Sequence, residues 1–78
     1  MSYGYSHSIV QLVKKADSRL IGVALGRLCI ERNIPVRQVA ERFGVSRQTV
    51  YSWFTGKHIP KSDMLNKMHK FVVSLADK

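Results

Sequence analysis

VRQVAERFGVSRQTVYSWFTG, Val36 to Gly56, holds two short amphipathic patterns joined at Gly44. At about 100° per residue, Val36, Val39, Ala40 and Phe43 share one side of a helix, while Arg37, Gln38, Glu41 and Arg42 take the other. Gly44 stops that helix, since glycine adopts the left-handed backbone of a sharp helix end without steric cost. Val45 follows as a buried pivot. Ser46 is a good N-cap for a second helix, in which Val50, Trp53 and Phe54 share one face and Gln48, Tyr51, Ser52 and Thr55 point the other way. Gly56 ends this helix as Gly44 ended the first.

Two helices of about two turns, joined by a short turn containing glycine, form the helix-turn-helix that places its second helix in the major groove of DNA. Ala40 meets a further demand of that geometry: the helices cross closely beside the turn, and a larger side chain would hold them apart. Any small helical protein contains packed helix pairs. The joint placement of Ala40, Gly44, Val45, Val50, Trp53 and Gly56 is far more particular, and it favours the DNA-binding reading.

Upstream, Asp17 or Ser18 can cap a helix running to about Arg32, with Leu20, Ile21, Ala24, Leu25 and Leu28 as its buried face. Asn33 suits a left-handed stop. Gly22, Val23, Gly26 and Ile30 make a second apolar stripe with little bulk, which either receives the segment Ser8 to Lys15 (Ile9, Leu12 and Val13 at helical spacing) or a second subunit. Met1 to His7, rich in Ser, Gly and Tyr, reads as a flexible arm; lacking Arg and Lys, it has no means of reading a minor groove. Downstream, Ser62 to Ala76 carries Met64, Leu65, Met68, Phe71, Val72 and Leu75 on one face, closing the core, and Val73 on the polar side. The expected organisation is thus a flexible arm over 1–7 and a single domain over 8–78.

Leu25 to Pro60, LGRLCIERNIPVRQVAERFGVSRQTVYSWFTGKHIP, resembles the Cro-like and lambda-repressor-like (XRE) class of phage and bacterial repressors. The resemblance rests on the leucine-rich first helix, Ile34 before the motif, the motif itself, and the closing Trp53, Gly56, Lys57 and Pro60; the last helix matches more loosely. It implies an all-α bundle of four or five helices that binds operator DNA, usually as a dimer. Two departures are visible. Pro35 stands where most members cap the second helix with Ser, Thr or Asn. Cys29 and Phe54 stand where many phage repressors pair an arginine with a glutamate, as if packing had replaced a buried ion pair.

Composition agrees. Seventy-eight residues with 45% hydrophobic content allow one domain with a small core, and 13 Lys and Arg against 5 Asp and Glu give a net charge of +8 that attracts polyanions. No apolar run has the length of a membrane span and no signal peptide is visible, so the expected location is the cytoplasm of a bacterium or phage-infected host. Cys29 alone cannot form an internal disulfide, and His7, His58 and His69 lack ligand spacing with it, so no metal is expected. Nor does the chain show a nucleophile–base pair, a phosphate loop or paired carboxylates; neither catalysis nor a cofactor or small-molecule ligand is expected.

On the second helix, Arg47 and Gln48, with Tyr51 and Ser52 one turn later, are the residues placed to reach base edges, and the matching positions supply base contacts in the family the chain resembles. Arg can fork onto guanine O6 and N7, and Gln onto adenine N6 and N7. Tyr51 suits a thymine methyl or a phosphate. Ser46, Arg37, Thr55, Lys57, His58 and Lys61 surround the helix and suit phosphate contact. Val36, Val39, Ala40, Phe43, Gly44, Val45, Val50, Trp53 and Phe54 form the structural core of the motif. The expected function is a sequence-specific regulator, a phage or prophage repressor acting on double-stranded DNA as a homodimer. An excisionase-like architectural protein and a protein-binding adaptor (an antitoxin or an inhibitor of host polymerase) are the alternatives.

Overall fold

The computed structural model describes residues 5–77, which form five α-helices and no strand: α1 His7–Lys15, α2 Ile21–Glu31, α3 Val36–Phe43, α4 Arg47–Phe54 and α5 Ser62–Ala76. The all-α expectation holds. α2 is the central element, packed against α1, α4 and α5. Its sequence, IGVALGRLCIE, is apolar on most sides, as a helix with neighbours on most sides must be.

The turn signals act as the sequence dictates. Gly44 is left-handed (φ 67°, ψ 36°), and the Val45 amide then bonds the Ala40 carbonyl at 3.0 Å. Asn33 and Gly56 also take positive φ, at 58° and 78°. The Ser46 hydroxyl caps α4 by accepting from the Thr49 amide at 3.1 Å, whereas Pro35 at the start of α3 makes no side-chain cap. Val36, Val39, Ala40, Phe43, Val50, Trp53 and Phe54 are all buried. The Phe43 ring joins three helices, meeting Trp53 of α4 edge-on at 6.0 Å and Phe71 of α5 at 5.6 Å. Two motif positions differ from the expected core: Gly44 is exposed and Val45 only half-buried. The turn runs over the surface, so Gly44 serves through its backbone and Val45 packs on one side only.

Three larger corrections concern the N-terminal half. First, α2 starts at Ile21 without a side-chain cap, because the Asp17 carboxylate is taken up in a local turn that accepts the Arg19 amide at 3.0 Å and its guanidinium at 3.0–3.3 Å. Secondly, the deepest face of α2 is Gly22, Val23, Leu25, Gly26 and Cys29, while Leu20, Ile21, Ala24 and Leu28 are half-buried. Its two glycines let α4 close in: a Cβ on Gly22 would lie 2.6 Å from the Trp53 carbonyl oxygen, and one on Gly26 2.8 Å from Phe54 Cγ. The stripe offered to a second subunit is therefore largely filled within the protomer, by α4 at the glycines and by α1 at Ile30, which shares a groove with Val10 and Val13.

Thirdly, Tyr5, Ser6 and His7 do not belong to an arm. Tyr5 is buried, its hydroxyl donates to the Ile34 carbonyl at 2.7 Å, and its ring lies 6.3 Å from that of Phe54. Ser6 caps α1 and His7 opens it. The remainder of the expected arm, positions 1–4, lies outside the described residues. At the other end, Met68, Phe71 and Leu75 of α5 are buried, with Met64, Leu65 and Val72 half-buried and Val73 57% exposed. Cys29 and Phe54 are both fully buried, so packing does occupy this pair of positions.

Candidate nucleic-acid interface

Helix α4 has one face fastened to the protein and one face free. Val50, Trp53 and Phe54 anchor it beneath. The first turn carries no acidic residue, so the partial positive charge of the helix N-terminus adds to that of Arg47. Arg47 and Gln48 are exposed there, as expected of base-reading side chains.

Tyr51 and Ser52 are placed less openly than the sequence implied. Both are half-buried, and Tyr51 packs on the core, because its position around the helix lies beside that of Phe54. The Ser52 hydroxyl donates to the Gln48 carbonyl at 3.1 Å, and that of Thr55 to the Tyr51 carbonyl at 2.8 Å. Each hydroxyl proton is thus held inside the helix, leaving the oxygens as acceptors.

After α4, left-handed Gly56 turns the chain back, and the amides of Lys57 and His58 both reach the Ser52 carbonyl, at 2.9 and 3.3 Å. That fold-back brings His58 beside Ser46, Gln48, Thr49, Ser52 and the Trp53 edge, around an open concavity of about 300 Å³. Four expected contact residues, Ser46, Gln48, Ser52 and His58, are gathered here. Lys57 is exposed on the same loop. Lys61 lines a different groove, with Val45, Thr49, Trp53, Ile59, Pro60, Asp63 and Met64. Arg37 stands in the first turn of α3 with its guanidinium 3.9 Å from Glu41, both side chains largely in solvent, a contact too weak to hold it from a phosphate.

Thr49 is the residue that sequence reasoning missed. It lines both concavities, and its hydroxyl lies 2.9 Å from that of Ser46. Its place three residues after a serine cap was the available signal. Among the described residues no three His, Cys, Asp or Glu side chains gather as metal ligands, and no helix is long and apolar enough to cross a membrane.

A helix with its inner face locked and its first turn presented outward is what a groove reader needs. A family model described as helix-turn-helix matches residues 25–71, more than half of the chain, from the middle of α2 to Phe71 of α5. The protein belongs to the XRE-type helix-turn-helix family, similar to Cro and lambda repressor. This is a family of DNA-binding transcriptional regulators, not typically enzymatic. No curated protein and no solved structure matches the chain significantly.

Proposed function

We propose that this helix-turn-helix protein is a sequence-specific repressor of the Cro-like kind, of phage or prophage origin, which works in the bacterial cytoplasm by covering an operator. α4 enters the major groove. Arg47 and Gln48 read base edges, Tyr51 and Ser52 touch the bases one turn further in, and Ser46, Arg37, Thr55, Lys57, His58 and Lys61 hold the phosphates on either side. The observation that carries this reading is the contrast along α4: Val50 and Phe54 are fully buried while Arg47 and Gln48, in the same two turns, are exposed. One helix of eight residues reads few base pairs, so two copies act together on an inverted repeat. With Gly22, Val23 and Gly26 buried inside the protomer, α5 around the exposed Val73 is the surface we favour for that pairing.

The test is a comparison of variants on a selected duplex. Arg47→Ala or Gln48→Ala should cost about 1–3 kcal/mol and relax preference at one position of each half-site, while Lys57→Ala should weaken all sequences alike. Equal losses on every sequence from all three variants would overturn the assignment of base readers.

A protein-docking adaptor is the second reading. What favours it is the apolar groove beside α4, where Ile59 is 67% exposed. An adaptor would bind a protein through Ile59 and would show no preferred DNA sequence.

A further inference from the structure

Beyond that reading, we propose that Arg42, Lys67 and Lys70 form a second polyanion-binding surface, which holds the phosphate backbone of a nucleic-acid segment other than the one facing α4. The three cations, with Phe43, surround a single concavity of about 290 Å³ between the end of α3 and the middle of α5. The Arg42 guanidinium lies over the Phe71 ring, 4.6 Å from its centroid. This cation–π contact holds the guanidinium beside the hollow and leaves it with N–H groups able to fork onto phosphate oxygens. Lys67 and Lys70, three residues apart on one helix, sit about 5–6 Å from each other at Cβ, a spacing at which like charges repel until an anion joins them.

The carboxylates of the chain are placed elsewhere. Asp17 is held by Arg19, and Glu41 faces Arg37 on the other flank of α3. Glu31 lines the groove between α1 and α2, and Asp77 follows the end of α5. Asp63, one turn before Lys67, lines the apolar groove together with Lys61. Among the described residues none of Arg42, Lys67 and Lys70 is in an ion pair, so three cations face one hollow.

That groove adjoins the α4 concavity and shares no lining residue with the hollow of Arg42, Lys67 and Lys70. It shares Thr49 and Trp53 with the concavity beside α4 and is lined further by Val45, Ile59, Pro60, Lys61, Asp63 and Met64, ending at the first turn of α5. A phosphodiester strand led on from Lys61 to Lys67 would have to pass the Asp63 carboxylate, which repels it, and apolar side chains that offer it little compensation for lost hydration. A separate segment meets no such barrier. The distribution of charge points the same way, since Arg37, Arg47, Lys57 and Lys61 are only four of the 13 Lys and Arg.

The experiment is two-duplex capture. A short mixed-sequence duplex is fixed to beads, the full chain is bound to it, and retention of a second, fluorescent copy of that duplex is read. Wild-type protein should retain the second duplex. R42Q/K67Q/K70Q, whose thermal melting should stay near that of wild type, should keep the first duplex but lose capture of the second by about an order of magnitude or more. R47A/Q48A should do the reverse and weaken loading on the first duplex, so failure of the α4 reading shows up separately. The proposal is overturned if the triple variant bridges duplexes like wild type, as it would if two copies bridged through their α4 helices. It is also overturned if wild type retains no second duplex, including the case in which the loaded beads retain a poly-glutamate peptide instead.

Discussion

Two glycines show how differently one residue type serves this molecule. At Gly44 a Cβ would meet nothing within 4 Å, so the only cost of alanine is its φ of +67°, roughly 1–2 kcal/mol. At Gly22 the backbone is helical and alanine would gain about 0.5–1 kcal/mol of propensity, yet its Cβ would fall 2.6 Å from the Trp53 carbonyl oxygen. Backbone cannot rotate away as a side chain can, so the clash decides the sign. Gly22→Ala is therefore expected to destabilise by about 1–3 kcal/mol in denaturant unfolding, and a variant as stable as wild type would refute the close α2–α4 approach. Gly44 was legible in the sequence because a helix stop is a local event. The role of Gly22 was not, because it depends on which helix arrives from 31 positions later, at Trp53. Tyr5 was missed for the same reason: its carbonyl partner belongs to Ile34, and a Ser-, Gly- and Tyr-rich stretch has no periodicity to betray it.

Residue burial also sets a pH dependence. Desolvation pushes the Cys29 thiol from its ordinary 9.0 up to about 12, and burial likewise raises the Tyr5 phenol above its ordinary 10.0. Both groups fold in their protonated forms, so their contribution to stability is complete below pH 9 and is lost as the unfolded chain gives up its protons and the pH climbs towards 12. Stability should decline over that alkaline window, and Cys29→Ala should flatten the decline. An unchanged slope in the variant would show that Cys29 is not the group responsible.

Among the elements, α2 has the most packing partners, while α4 joins packing on α2 and α3 to the proposed recognition of DNA. Trp53 meets Phe43 edge-on at 6.0 Å and is buried, so Trp53→Ala should cost about 3–5 kcal/mol or unfold the domain. Full thermal stability in that variant would mean that the helix register is wrong. Ser46→Ala removes the cap on the Thr49 amide and should cost about 1 kcal/mol. The two faces of α3 and α4 were readable from their period alone. Depth on the flanks was not: a period of 3.6 puts Tyr51 and Ser52 on the outward side, but only the packed neighbours and the bond from Ser52 to the Gln48 carbonyl show how far they are withdrawn. The start of α2 was misplaced because Asp17 has two local uses, helix cap and turn, that sequence cannot rank.

At the scale of the whole molecule, a net charge of +8 in a body of 31 × 27 × 23 Å makes association with DNA an electrostatic event. If about four to six basic side chains neutralise phosphates, log affinity should fall with log salt at a slope of about 0.9 per contact, and a flat dependence would remove nucleic acid as the main partner. The family and the fold were legible because the motif is local and dense in signals; the surface of pairing was not, because exposure of Val73 or Ile59 is a property of the assembled bundle. On the proposed function, α4 reads sequence as one of a symmetric pair. Selection of bound duplexes from a random pool tests it most directly. An inverted repeat with half-site centres about 10 base pairs, or roughly 34 Å, apart should be enriched, and R47A/Q48A should lose that enrichment; a pool that shows no enrichment, or the same consensus from wild type and variant, would contradict the paired α4 readout.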